Sequence, residues 1–173
     1  MHWKPPGVLI PWFDGDQLKL VKIRPTDEWR ARFPKDRPPP KYIEAFRDRP
    51  LLYPTPSVVS IGKPMVIAEG EFDALLLGQE LRELAAVATL GSASARPEPA
   101  ILGTMLKAPT WHVATDADTA GDQAASRWRA RARRARPPAP YKDWTEAWQA
   151  GVNLRRWWID RIAGIESPAV DTG

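Results

Sequence analysis

Two short segments carry the acids best placed to do chemistry together. Val66-Ile67-Ala68 leads into Glu69-Gly70-Glu71-Phe72-Asp73, and His112-Val113-Ala114-Thr115 leads into Asp116-Ala117-Asp118-Thr119-Ala120-Gly121. In each, an apolar run of strand type ends in carboxylates and a glycine where a helical pattern starts. Such an order delivers acids to one edge of a parallel sheet, where open α/β folds build their sites. Asp116 and Asp118, two apart in extended chain, point the same way. Glu69 and Asp73, four apart across a strand-to-helix turn, can aim at one point. No basic partner is obvious, so four convergent carboxylates would repel one another unless a hard cation lies between them, and Mg²⁺ suits such an oxygen set. Lys142-Asp143 supplies a further acid, for which metal binding and helix capping weigh about equally. Asp118 is also placed to cap the helix starting near Ala120. Glu71 and Asp122 are expected to face solvent.

The elements that must hold these acids follow from periodicity. Residues 64–68, 86–90 and 111–115 predict strands. Helices are expected from about Glu71 to Leu84, with Leu75, Leu76, Leu77 and Leu81 available to the core, from Pro97 to about Lys107, and from Ala120 to Ala135. Strand and helix alternating in this way specify a parallel sheet with right-handed crossovers. Upstream, Val8 to Phe13 and the alternation Leu18, Leu20, Ile23 flank Asp14-Gly15-Asp16 and read as a hairpin. The Pro-rich stretches 33–40 and 50–56 are loops or extended crossovers. After the spacer Pro137-Pro138-Ala139-Pro140, Trp144 to Ala150 is a brief helix closed by Gly151, and Leu154 to Ile162 a last one. The tail from Glu166 has no periodicity.

Composition narrows the classes. The chain of 173 residues can hold one domain with a sizeable core, or a small domain with an appendage. Cysteine is absent, which excludes disulfides and thiolate zinc sites. No apolar run reaches membrane-spanning length and no secretory signal is apparent, so a soluble, cytoplasmic protein without a membrane partner is expected. The net charge is +4 although several acids are committed to one edge. The remaining surface is therefore more basic than the total suggests, as a nucleic-acid partner favours.

Six arginines lie between Arg127 and Arg136. On a helix, Arg127, Arg131 and Arg134 share one flank and Arg129, Arg133 and Arg136 another, bordering an apolar stripe of Ala124, Trp128, Ala132 and Ala135. That pattern fits a solvated helix surface and contact with a phosphate backbone equally well. Nine tryptophans invite a base-stacking reading, but most sit at strand or helical spacings suited to packing. Trp157 and Trp158 cannot both be buried by one helix face, so one of them is a candidate contact for a partner. Asp116-Ala117-Asp118-Thr119 also fits the start of an aspartate-nucleophile phosphatase, but that assignment needs more chain downstream and leaves Glu69 without a task. His2 and His112 are assigned no role.

The paired acidic motifs resemble the TOPRIM domain shared by bacterial-type primases, topoisomerases and some nucleases, whose pattern is a Glu after the first strand and Asp-x-Asp after a later one. Glu69, Asp116 and Asp118 occupy those positions. Further stretches are similar to the primase branch: Glu69 to Leu75, the small-residue loop Thr89-Leu90-Gly91-Ser92-Ala93, Asp116 to Gly121, and Lys142-Asp143-Trp144-Thr145-Glu146. The last departs from the family at Thr145, where a second acid is usual. Gly7 to Pro11 and Pro40-Lys41-Tyr42 look like the end of the subdomain that precedes TOPRIM in primases.

The resemblance implies a TOPRIM (Rossmann-like) parallel sheet flanked by helices at 63–152, an N-terminal β-containing appendage at 1–62, and a C-terminal helix and tail at 153–173. It also implies metal-dependent nucleotidyl transfer in RNA primer synthesis. Mg²⁺ (or Mn²⁺) would be held by Asp116, Asp118, Asp73 and Asp143, and Glu69 would act as catalytic acid or base. Nucleotide phosphates would meet Lys142, Lys41, Arg24, Gly91 and Ser92. Arg127, Arg131 and Arg134 are the nucleic-acid candidates. The implied partners are a single-stranded DNA template, nucleoside triphosphates, and a helicase or a zinc-binding module, since primases of this type carry a Cys-rich zinc module. A TOPRIM nuclease and a non-catalytic binding module are the alternatives. On the primase reading, the oxygens of Glu69, Asp116 and Asp118 should cluster at the C-terminal edge of the sheet.

Overall fold

A computed structural model of the chain describes residues 5–48, 52–54, 62–92 and 95–162. His2, Ala93, most of the stretch 50–56 and the tail from Glu166 lie outside them. The chain divides into two units, residues 1–51 and 52–173.

In the first unit, β1 (Gly7–Asp14) and β2 (Gln17–Pro25) form the expected antiparallel hairpin, and Gly15 takes the positive φ of 58° that its tight turn needs. A third strand, β3 (Ile43–Arg47), pairs antiparallel with β2, and a single helical turn, α1 (Asp27–Arg30), starts where the Thr26 hydroxyl accepts the Trp29 N–H. Neither was predicted, because α1 is too short for a period and β3 follows directly on Pro-rich chain. Ile10, Trp12, Leu20, Ile23 and Trp29 form this unit's core.

The second unit runs β4 (Met65–Ala68), α2 (Glu71–Glu80), β5 (Ala86–Thr89), α3 (Pro99–Met105), β6 (Trp111–Ala114), α4 (Thr119–Ser126), β7 (Ala132–Ala135), α5 (Trp144–Gln149) and α6 (Leu154–Ile162). The sheet is parallel throughout, in the order β5-β4-β6-β7. Strands β4, β5 and β6 are buried at every position, as runs covered on both faces must be. On one face Val66, Ala68, Val87, Ala114 and Ala135 meet Leu77 and Leu81 of α2, Trp144 of α5, and Leu154 and Trp158 of α6. On the other, the Trp111 indole donates to the Met105 carbonyl (3.1 Å) and its ring meets Trp128 edge-on at 5.8 Å. Among the described residues no helix is long and apolar enough to cross a membrane.

The helix expected over 120–135 is not continuous. It ends at Ser126, and Ala132–Ala135 adds a fourth strand beside β6. Alanine and arginine both favour helix, but the Arg134 guanidinium reverses the local preference by donating to the carbonyls of Thr115 (2.7 Å), Asp116 (2.6 Å) and Ala135 (2.7 Å). One further expectation needs correction. Glu71, expected in solvent, is fully buried in the first turn of α2, where its charge adds to burial in raising the pKa of Tyr53. Asp122 keeps a side chain 40% exposed while ion-paired with Arg134 and Arg136. Of the two adjacent indoles, Trp158 is fully buried and Trp157 only partly so, packed against the same cluster; among the described residues the exposed indole is that of Trp148.

His112 lies on β6 beneath Trp158, 2% exposed, and its Nδ1 has no hydrogen-bond partner among the described residues. Burial, then the charges of Arg133 and Arg161, depress its pKa from 6.5 to about 4. The folded protein therefore holds a neutral imidazole where the unfolded chain binds a proton. The resulting stability is present in full above pH 6.5 and is lost as pH falls toward 4, by up to about 3 kcal/mol. A Tm-against-pH series should show a steeper acid fall for the wild type than for His112→Phe; parallel curves would rule the imidazole out as the cause.

Candidate active site

The chain enters the sheet at β4, passes through α2 to β5 on one side, and returns through α3 to β6 on the other. The crevice outside the carboxyl ends of β4 and β6 is thus a topological switch point, where open α/β sheets bind ligands. Glu69 follows β4 and Asp116 follows β6 just there. Ala68 is in register with Ala114, and the Asp116 N–H donates to Glu69 Oε2 at 3.2 Å.

The Asp116-to-Gly121 turn is fixed from within. Asp118 caps α4 by accepting the Gly121 N–H (2.8 Å), and the Thr115 hydroxyl donates to the Gly121 carbonyl (2.7 Å). A Cβ on Gly121 would overlap the Asp116 carbonyl oxygen, so only glycine lets the first turn of α4 lie against that backbone. The Lys142 loop is sewn to the same place. Its carbonyl accepts the Ala117 N–H (2.7 Å), and the Trp144 indole reaches the Ala114 carbonyl (3.3 Å). Asp143 caps α5 by accepting the Glu146 N–H (2.7 Å), while Glu146 accepts the N–H of Lys142 (2.6 Å), one residue before the cap, in a variation on the capping box.

The edge has the basic partner that the sequence did not reveal. Lys142 Nζ lies 3.4 Å from Asp118 Oδ2, and Asp118, then Asp116 and Asp143, raise the pKa of this lysine. Asp118 is held below the usual carboxylate range first by the Gly121 N–H and then by Lys142. Accordingly, among the described residues no three His, Cys, Asp or Glu side chains stand close enough to hold a metal ion. The Lys142 ammonium lies among Asp118, Asp116 and Asp143, while the Glu69 carboxylate is turned to the Asp116 N–H. Asp73 sits half-buried in the first turn of α2.

Gly91 adopts φ 81°, and its N–H donates to the Thr89 hydroxyl (2.9 Å), which in turn donates to the Glu69 carbonyl (3.0 Å). Thr89 therefore joins the Gly91-Ser92 loop to Glu69. Sequence reasoning missed Thr89, Thr115 and Glu146. Of these, Glu146 could have been found from the Asp-x-x-Glu spacing of Asp143 and Glu146.

In the first unit, Arg24 and Lys41 reach a common ring. The Arg24 guanidinium lies 5.3 Å from the Tyr42 centroid and donates to its hydroxyl (3.3 Å), and Lys41 and Lys22 lie 6.0 and 5.6 Å from the same ring. Arg131 and Arg134 have tasks within the second unit. Arg131 stacks on Trp111 at 5.2 Å and donates to the Ala108 carbonyl, while Arg134 is bound as described above. Arg127 is exposed at the end of α4.

The second unit is a four-stranded parallel sheet with acids at its switch point and helices on both faces, and residues 66–148 match the family model described as Toprim-like. With its extra N-terminal strands, the chain has the fold of the primase fragment of the bacteriophage T7 primase-helicase protein: 87% of this chain aligns with 60% of that one, at a TM-score of 0.67 and 20% identity. A chain from the bacteriophage T7 lagging-strand DNA polymerase structure, which contains primase domains bound to an RNA/DNA hybrid and dTTP, aligns over 87% of this chain and 74% of its own length, with a TM-score of 0.59 and 19% identity. No curated protein sequence matches.

Proposed function

We propose that the second unit performs metal-dependent nucleotidyl transfer of the primase type, joining nucleoside triphosphates on a single-stranded DNA template. The observation that carries this reading is the meeting of Glu69 and Asp116 at the switch point, with Lys142 set among Asp116, Asp118 and Asp143. The donors are carboxylate oxygens without thiolate or imidazole, a set suited to Mg²⁺ or Mn²⁺. Asp116 and Asp118, with Asp73 and Asp143, would hold the cation. When bound, the cation supplies charge neutralisation at the phosphoryl oxygens. Glu69, oriented by the Asp116 N–H, accepts the proton of the attacking 3′-hydroxyl. Lys142, released from Asp118, pairs with triphosphate oxygens. Gly91 and Ser92 lie in the loop that Thr89 joins to Glu69; Arg24 and Lys41, grouped on Tyr42, offer cationic groups for phosphate within the first unit.

Nucleotide incorporation on a single-stranded template, run beside cleavage of labelled strands, tests the reading. Incorporation without cleavage is expected; cleavage alone would make the domain a nuclease, and neither would make it a binding module. The chain is expected to bind Mn²⁺, and triphosphates weakly, and to prime poorly without a helicase or zinc-module partner, because template capture needs extended surface. Robust priming by this chain alone would refute that last expectation.

Lys142 gives a second handle. As a tethered cation beside Asp118, it competes with a divalent ion for the same carboxylates. Lys142→Met should tighten Mn²⁺ binding by about threefold or more in calorimetry at low salt, while incorporation falls for want of a phosphate partner. Weaker Mn²⁺ binding in this variant would show that the lysine supports the site rather than competing for it.

A further inference from the structure

A cleft of about 370 Å³ separates α4 from the edge strand β7, lined by Asp122, Ser126, Arg129, Ala132, Arg134 and Arg136. Its single lining carboxylate, Asp122, is taken by Arg136 (2.6 Å) and Arg134 (3.3 Å). Arg134 is also held by backbone carbonyls. The lining thus carries three guanidinium groups against one carboxylate, and the exposed Arg129 makes no ion pair among the described residues. Arg136, with its side chain 60% exposed, turns one edge toward Asp122 and leaves the other to solvent.

The position of this positive excess gives it a direction. The guanidinium of Arg134 donates both to Asp122 in the cleft and to the Asp116 carbonyl (2.6 Å) at the acidic edge. It is a shared wall between the two. A polyanion lying in the cleft would therefore be led toward the carboxyl end of β6, and arginine forks match phosphate oxygens in geometry. We propose that the α4–β7 cleft binds the phosphodiester backbone of a single nucleic-acid strand through Arg129 and Arg136, with the Ser126 hydroxyl beside them, and guides that strand past Asp116. The proposal deepens the nucleotidyl-transfer reading and rests on it only for the direction of the strand. It also assigns the phosphate contacts to different arginines from the flank of Arg127, Arg131 and Arg134 read from the sequence.

Charged side chains on an edge strand also deter strand addition, so the test must separate that role from strand binding. Fluorescence anisotropy of a labelled oligodeoxynucleotide, without metal or triphosphate, is measured across a salt series for wild type, Arg129→Gln, Arg129→Gln/Arg136→Gln, and Arg133→Gln. Arg133 is exposed and lies on the α6 side of β7. Each lost phosphate contact should lower the salt slope by about 0.7 for single strands, so the double variant should lose about 1.4 and at least tenfold in affinity at low salt. Arg129→Gln alone, which removes no packing contact, should lose about half of that slope, and Arg133→Gln should match wild type. Inorganic triphosphate should compete only weakly; full competition at equal phosphate concentration would assign the cleft to free nucleotide instead. An unchanged slope in the double variant, an equal loss in Arg133→Gln, or no strand binding by wild type overturns the proposal. Incorporation that survives an unchanged slope therefore sinks only the cleft, whereas a flattened slope without incorporation sinks only the catalytic reading.

Discussion

Asp116→Asn should leave the fold intact and lower nucleotide incorporation by about three orders of magnitude. The reason lies in how this residue divides its atoms. Its backbone N–H serves Glu69 and its carbonyl serves Arg134, and neither depends on side-chain charge. The isosteric amide keeps both contacts and removes the negative charge that would hold a divalent ion against the phosphoryl oxygens. Thermal melting should match wild type within a degree or two, while calorimetry with Mn²⁺ should show binding lost or weakened by at least tenfold. Wild-type incorporation in Asp116→Asn would end the metal-site reading. A large drop in Tm would mean that the side chain is structural and that the activity loss says nothing about chemistry.

Gly121→Ala should be strongly destabilising for a change of one methyl group. The added Cβ meets the backbone of Asp116 rather than the end of a flexible side chain, so α4 or the Asp116 strand end must move. Movement there also breaks the Gly121 N–H bond to Asp118 and the Thr115 bond to the Gly121 carbonyl, both shorter than 3 Å. Loss of a cap together with a buried hydroxyl contact costs about 2 kcal/mol or more. Mn²⁺ affinity should fall with stability, because Asp116 and Asp118 flank the displaced turn. Denaturant melts and calorimetry on the same samples check both. A variant as stable as wild type would show that the turn yields more easily than its packing implies. Gly103, where a Cβ has nothing within 4 Å, is the matched control.

The acidic edge was legible in the sequence because its logic is local. An apolar run too short and too β-branched for a helix, then an acid, then a glycine, marks where β4 and β6 deliver Glu69 and Asp116. Periodicity placed the helices of the second unit within a few residues, apart from α4. What stayed hidden depends on contacts between distant residues. No property of Ala132-Arg133-Arg134-Ala135 by itself says strand; the carbonyls that recruit Arg134 belong to β6 and the turn after it. Glu71 reads as solvent-facing because its neighbours in sequence are ordinary first-turn residues, while Tyr53, which feels its charge, is distant in the chain. Lys142 looked like a phosphate ligand only, since its approach to Asp118 depends on the bond between Ala117 and the Lys142 carbonyl, 25 residues apart in the chain.

Three carboxylates at this edge each give one oxygen to the protein backbone. Asp118 gives Oδ1 to Gly121, Asp143 gives Oδ1 to Glu146, and Glu69 gives Oε2 to Asp116, in every case to a backbone N–H. One oxygen of each is thereby turned toward the protein, which disfavours bidentate grip on an ion. Calcium, with its six to eight oxygens and its liking for chelating carboxylates, loses most by that restriction. A small octahedral ion that takes single oxygens and keeps several of its waters loses little. Ion selectivity at this edge would then come from the helix caps, which ration oxygens, more than from the size of any cavity.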